Sequence, residues 1–240
     1  MKNSLIRLTL GIALLVIAQP AAALTLDFSD VGLSHGSIVT SSQGVTITTT
    51  NTGGGPDMGV VFDTNRSGTA DSDLERGSGW SGGNLAPNTD LGLALIIQEH
   101  SGSCGAVSCS NPDDEGSRPA GSFALDFSSL GSFQNFSMDL IDVESITAEP
   151  GSVVFRNGGA EVANRSFMSF LSQPGVAWGD NSANRILDIV AGVEFDEVII
   201  NMGGSGAVDN VTVSNPVPEP TSALLFGLGI VAAGRGIRRR

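Results

Sequence analysis

The chain has 240 residues with 25 acidic and 12 basic side chains, a formal net charge of −13, 32 glycines and no tyrosine. Six of the basic residues, Lys2, Arg7, Arg235, Arg238, Arg239 and Arg240, stand at the two ends, so the stretch between them sets 24 acids against six arginines and carries no lysine. A surface that acidic repels phosphate backbones and excludes nucleic-acid binding, which begins from a basic footprint; it suits a solvated secreted surface or sites for hard divalent cations.

At the N-terminus, Lys2 and Arg7 flank a short polar segment, 8–18 is an apolar run, and Ala21, Ala22 and Ala23 supply small residues for cleavage. This is the pattern of a secretory signal peptide over 1–23. The stretch 24–215 is long enough for one full core and reads as one domain. Its Gly, Ser, Thr and Asn-rich background favours short strands and turns. Strands are predicted at 24–28, 45–50, 60–63, 93–99, 121–127, 133–143, 152–156, 161–170, 185–189, 194–202 and 207–213. Phe123, Leu125 and Phe127 alternate with polar or small neighbours, as do Phe136, Met138 and Leu140, the period-2 pattern of half-buried antiparallel strands. Paired glycines at Gly53-Gly54, Gly82-Gly83, Gly158-Gly159 and Gly203-Gly204 punctuate them. The expected fold is all-β, an antiparallel sandwich of jelly-roll type. Within it, 51–90 holds one brief strand and is otherwise a long loop, a length at which loops are usually functional or disordered.

That loop carries the densest chemistry. Asp71 and Asp73 place two carboxylates on one side of an extended segment, and Gly68 lets the chain fold back so that Asp63 joins them. Oxygen ligands at these intervals suit Ca²⁺, which takes six to eight oxygens in tolerant geometry. The register of an EF-hand is absent, and the same residues also suit Asx turns in a solvated loop. Cys104 and Cys109 are the only cysteines; in an exported chain they are expected to form a disulfide, whose short loop contributes roughly 2 kcal/mol in the chain-entropy model. Templates for enzymes are thin: there is no Gly-x-Ser-x-Gly, His-Glu-x-x-His or Walker loop. Carboxylate pairs for glycoside hydrolysis can be drawn from Glu99, Asp114, Asp142 and Glu144, but among 24 acids some pair is always available. His100 reads as a loop histidine, and no catalytic residue is assigned.

The last segment, 216–240, contains Pro218-Glu219-Pro220, an uncharged run over 221–234, and the basic cluster Arg235, Arg238, Arg239 and Arg240. As a helix the uncharged run spans about 21 Å, against a hydrocarbon core of about 30 Å. Continued to Ile237 with Arg235 snorkelling, it makes a short, weak transmembrane helix. The positive-inside preference puts the arginines in the cytoplasm and Pro218-Glu219-Pro220 outside, where two prolines that continue neither helix nor strand leave Glu219 exposed for processing. In this order the elements resemble the PEP-CTERM sorting signal of exported bacterial proteins. The resemblance implies that exosortase, a membrane transpeptidase-like enzyme, recognises Pro218-Glu219-Pro220 and removes the tail. The chain would then pass through the secretion machinery as an inner-membrane-associated precursor, on its way to the cell surface or extracellular matrix.

Further residues add a second resemblance. A Phe62-Asp63-Thr64 loop ending in Asp71-x-Asp73-Leu74, an apolar strand ending in Gln98-Glu99, a Pro112-Asp113-Asp114-Glu115 turn, a Leu140-Ile141-Asp142 strand and a final Ala207-Val208-Asp209-Asn210 strand resemble a recurring β-sandwich of exported proteins with such tails. By similarity to carbohydrate-binding sandwiches, its acidic positions look like calcium ligands, and Asp209 is the last-strand position that fits. The resulting expectation is a non-enzymatic structural or adhesive component of an exopolysaccharide or biofilm layer with structural calcium at Asp63, Asp71, Asp73 and Asp209. Alternatives are a carbohydrate-binding module, with glycan contacts at Trp80 and Trp178, and a glycan-active hydrolase.

Overall fold

The structure, a computed structural model, describes residues 23–216 apart from 31 and 78. The expected signal peptide up to residue 22, Pro218-Glu219-Pro220, the expected short transmembrane helix and the terminal arginines lie outside the described residues, while Ala23, the last residue of the expected signal peptide, opens β1. Twelve strands follow one another: β1 (Ala23–Leu26), β2 (Ser41–Ser42), β3 (Val45–Asn51), β4 (Gly59–Asp63), β5 (Leu93–Ile97), β6 (Gly121–Asp126), β7 (Phe133–Ile141), β8 (Ser152–Asn157), β9 (Ala160–Ser166), β10 (Ala183–Phe195), β11 (Glu197–Met202) and β12 (Ala207–Ser214). Short 3-10 helices occupy Ser101–Ser103 and Phe167–Ser172. The strands make two six-stranded sheets, one ordered β10-β7-β12-β5-β4 with β1 also on β12, the other β2-β3-β6-β11-β8-β9. Every named strand pair is antiparallel. The fold is an all-β antiparallel sandwich.

Alternation dictates which side chains enter the middle. Phe123 and Leu125 of β6, Val153 and Phe155 of β8, and Val198 and Ile200 of β11 share one core with Phe136, Met138 and Leu140 of β7 and Val211 and Val213 of β12. Phe195 sits against Phe155 at 5.1 Å and Phe136 at 6.2 Å between ring centroids, in edge-on geometries that favour aromatic pairs. A second core is built from the side chains that the alternation sends the other way. Val60, Phe62, Ala94, Ile96, Ile141, Ala183 and Ala207 are covered by Leu74, Trp80 and Leu91 of the long loop. Thr64 N donates to Gly92 O at 2.8 Å, closing the base of that loop.

The short β2 was not predicted, the strand expected over 194–202 is divided between β10 and β11, and two further elements change in kind or length. The strand expected over 161–170 stops at Ser166, and Phe167–Ser172 is a 3-10 helix. Phe167 and Phe170 are both buried, and at three residues per turn the i, i+3 spacing puts them on one side. The strand expected over 185–189 runs instead through 13 residues. Shifts in its pairing with β7 fall after Ile186 and after Ala191, with Asp188 at φ 47° and Gly192 at φ 73°. These bulges let one strand stay paired where a straight one would leave the sheet.

Candidate functional site

Three acidic segments meet where β7 leaves its sheet. Asp142, the residue after β7, adopts φ 56°, a left-handed conformation that aspartate tolerates better than a branched residue. Its backbone N–H still donates to Ser182 O at 2.8 Å, and its carboxylate Oδ1 accepts from Asn181 N at 2.6 Å. Only 2% of Asp142 is exposed. The long loop brings Asp71 to the same place. Leu74 is fully buried in the second core, so the turn before it points inward, and Asp71, 8% exposed, accepts from Leu74 N at 3.2 Å. Asp114 arrives from 98–120, tied there by a bridge between Gln98 and Asp114. Its backbone N–H donates to Asp71 Oδ2 at 3.4 Å, and its own Oδ2 accepts from Gly206 N.

Burial and mutual repulsion set the electrostatics of these carboxylates. Burial pushes the Asp142 carboxyl up to about 8, with repulsion from Asp73, Asp71 and Glu144 adding to it and the Asn181 N–H opposing. Burial likewise raises Asp71, and raises Asp114 well above the usual carboxylate range with Asp71 acting in the same sense. Around them, Asp73, Glu144 and Asp180 form an exposed rim whose oxygens lie within 4.8 Å of one another. Arg118 reaches Glu144 at 3.0 Å and the buried Glu149 at 2.5 Å. Among the described residues no ion pair involves Asp71, Asp114 or Asp142.

Gly206 is the backbone keystone of this arrangement. Its φ is 132°, and a Cβ there would stand 2.7 Å from Ile141 O. Gly206→Ala is therefore expected to cost about 1–3 kcal/mol through backbone strain and to displace the N–H that holds Asp114. Urea denaturation followed by Trp fluorescence measures it, and an unchanged midpoint would show that the site absorbs the methyl group.

The four expected calcium ligands are not brought together. Asp71 and Asp73 belong to this centre. Asp63 ends β4 elsewhere: its N–H donates to His35 Nδ1 at 3.1 Å and its side chain makes an Asx turn with Asn65 N. Asp209 lies in the sheet across from Asp139, and its charged neighbours are Asp139, Asp27 and Arg185. There Arg185 grips Asp139 bidentately at 2.8 and 2.7 Å, and Asn210 Nδ2 donates to both Asp139 and Asp209. The pairing shifts just past Asp209, with Asn210 at φ 47°, and Asp139, Arg185 and Asn210 line an open groove of about 340 Å³ with Thr25, Ser137 and Thr212.

Of the two tryptophans, one is buried. Trp80 is 4% exposed, its Nε1 donating to Thr89 O at 3.0 Å, so it offers no ring face to a glycan. Trp178 is half-buried and stacks on Phe167 with centroids 6.0 Å apart. Cys104 and Cys109 are disulfide-bonded, and His100 pairs with Glu99 at 3.0 Å. Sequence reasoning placed Asp114 and Asp142 among the acidic positions of the resembled sandwich without joining them to one another, and did not single out Asn181 or Gly206. The acidic runs around Asp114 and Asp142 were visible, but nothing local told which of many acids converge.

Comparison with known proteins adds one firm match. The family model of the PEP-CTERM protein-sorting motif matches residues 216–240. No curated protein matches the chain. Among solved structures, the K2 cleaved adhesin domain of Lys-gingipain aligns with 80% of this chain and 97% of its own at 11% identity, with a TM-score of 0.35; a likeness that loose bears no argument about function. The chain thus carries at its C-terminal end the PEP-CTERM sorting motif, the address of an exported protein that exosortase recognises and sorts at the membrane.

Proposed function

We propose that this chain is a non-enzymatic structural or adhesive component of the cell surface or extracellular matrix, within an exopolysaccharide or biofilm layer, and that structural calcium belongs to its folded form. The observation that carries this reading is the sorting motif, which begins at 216, directly after β12 ends at Ser214. Its proposed parts are a signal peptide over 1–23, an ectodomain over 24–215 and a sorting tail over 216–240 that holds the precursor in the membrane until processing. The acidic surface supports it too, since strong like charge keeps a secreted protein soluble and resists nonspecific association. Calcium is the hard cation that oxygen-rich extracellular modules take up at high ambient concentration. Exosortase and the secretion machinery are its partners in transit, and exopolysaccharide is the proposed partner at its destination.

Fractionation of a host that contains exosortase, followed by intact-mass measurement, tests this reading. The expected product is found at the surface or in the matrix, begins after Ala23 and lacks the residues beyond the Pro218-Glu219-Pro220 motif. A chain that keeps its tail and stays with the inner membrane overturns the surface assignment.

A further inference from the structure

Just past the end of β5, Gln98 and Asp114 form an antiparallel bridge, and Glu99 N donates to Asp113 O at 2.9 Å. Glu99 and Asp113 are thereby the next pair across from one another, with their side chains on one face. Like charges directly opposite destabilise a strand pair, and among the described residues no arginine pairs with either acid. A histidine stands between them instead. His100 Nδ1 lies 3.0 Å from Glu99 Oε2 and 3.8 Å from Asp113 Oδ2, and one donor atom from each of the three residues lies within 4.8 Å of the other two. In a tetrahedral zinc shell with bonds of about 2.1 Å, donor atoms stand about 3.4 Å apart. The two distances from the imidazole bracket that spacing.

The frame beneath the donors is built independently of them. Gln98 is fully buried. Its Nε2 donates to His100 O at 3.2 Å and to Asn111 O at 3.4 Å, and its Oε1 accepts from Asp113 N at 3.3 Å. One buried amide therefore fixes the backbone of two of the three residues, and the Cys104–Cys109 disulfide ties the segment that runs between them. Such support from below is what holds a ligand set in place before its ligand arrives. The side chains stay reachable from solvent, with 67% of His100, 34% of Glu99 and 26% of Asp113 exposed.

We infer that Glu99, His100 and Asp113 form a binding site for a zinc ion, with water completing the shell. An imidazole nitrogen beside two carboxylates is a donor set that zinc accepts. Calcium takes oxygen alone and needs six to eight donors, which this set does not supply. Bound there, the ion replaces the repulsion between Glu99 and Asp113 with attraction to a shared cation and closes the mouth of the disulfide loop. Three protein ligands leave a coordination position open on the solvent side, where zinc can take a further ligand from outside the chain. This site is separate from the calcium proposed above, and neither depends on the other.

The chain has two histidines, so the imidazole signals in NMR read the site directly. Titration of the metal-stripped full chain with ZnCl₂ is expected to shift or broaden the signals of His100 and to leave those of His35, whose Nδ1 already accepts from Asp63 N at 3.1 Å. Calorimetry in parallel is expected to show zinc binding that weakens about tenfold or more in His100→Gln and in Asp113→Asn, since loss of even an outer partner of a metal ligand costs that much. CaCl₂ at the same concentration is expected to leave the His100 signals in place. His100→Gln changes an exposed side chain and Asp113→Asn keeps the shape of its own, so melting temperatures equal to that of the wild type in metal-free buffer separate loss of a ligand from loss of the fold. Absence of zinc binding in the wild type, or binding that is unchanged in His100→Gln, would overturn the site. The same His100 shift with CaCl₂ would overturn its assignment to zinc.

Discussion

At about pH 9 the Asp209→Asn variant is expected to be several kcal/mol more stable than the wild type, and the difference is expected to shrink steadily as the pH falls toward 4. Asp209 has no exposed surface, and burial, with Asp139 and Asp27 adding repulsion, pushes its carboxyl from 3.8 up to about 9. Between the ordinary and the raised value the folded chain holds a proton that the unfolded chain has released. The unfolded state then binds fewer protons, so stability falls as the pH rises, by about 1.4 kcal/mol per pH unit across that window. Asparagine has the same shape and no proton to lose, and its amide oxygen can still accept from Asn210 Nδ2, which now meets Asp209 Oδ2 at 2.8 Å. The raised Asp142 carboxyl slopes the same way, but it is common to both proteins and drops out of their difference. Urea midpoints at intervals between pH 5 and about 9 measure the effect. Parallel curves for the two proteins would mean that Asp209 is ionised in the fold despite its burial.

Asp209 also illustrates where the sequence stops being legible. Its place in a final strand could be read from the β-branched Val208, Val211, Thr212 and Val213 around it, and the all-β sandwich follows from such strands. The 3-10 helix over Phe167–Ser172 could not be read in this way, because two phenylalanines three residues apart are compatible with a strand until the sheet's edge is known. The second core escaped for a different reason. Leu74, Trp80 and Leu91 lie in a loop with no periodicity, and only the outward-facing apolar residues of β4, β5 and β7 explain why they are buried. Convergence was the hardest part. Asp71 and Asp73 are two residues apart and were read together, whereas Asp114 and Asp142 come near Asp71 through contacts more than 35 residues apart that pattern reasoning does not reach. Asp209 stands apart from Asp71 and Asp73, with Asp139, Asp27 and Arg185 as its charged neighbours and Asn210 Nδ2 on one of its oxygens.

Trp80→Ala is expected to cost about 3–5 kcal/mol, the range for deleting a large aromatic from a packed interior. The loss should be concentrated in one part of the molecule. Trp80 lies in the second core with Leu74 and Leu91, not between the sheets. Its backbone N–H donates to Pro87 O at 2.9 Å and its indole to Thr89 O at 3.0 Å, so the ring holds both halves of the long loop together. Without it, Leu74 loses a neighbour and the Asp71 turn loses the anchor that points it inward. Protection against hydrogen exchange is therefore expected to fall across 64–92 while β6, β8 and β11, which pack in the other core, keep theirs. Loss of protection spread evenly over both sheets would show that the two cores unfold as one. Unchanged exchange in the loop would show that its own hydrogen bonds, not the tryptophan, hold Asp71 against Asp114.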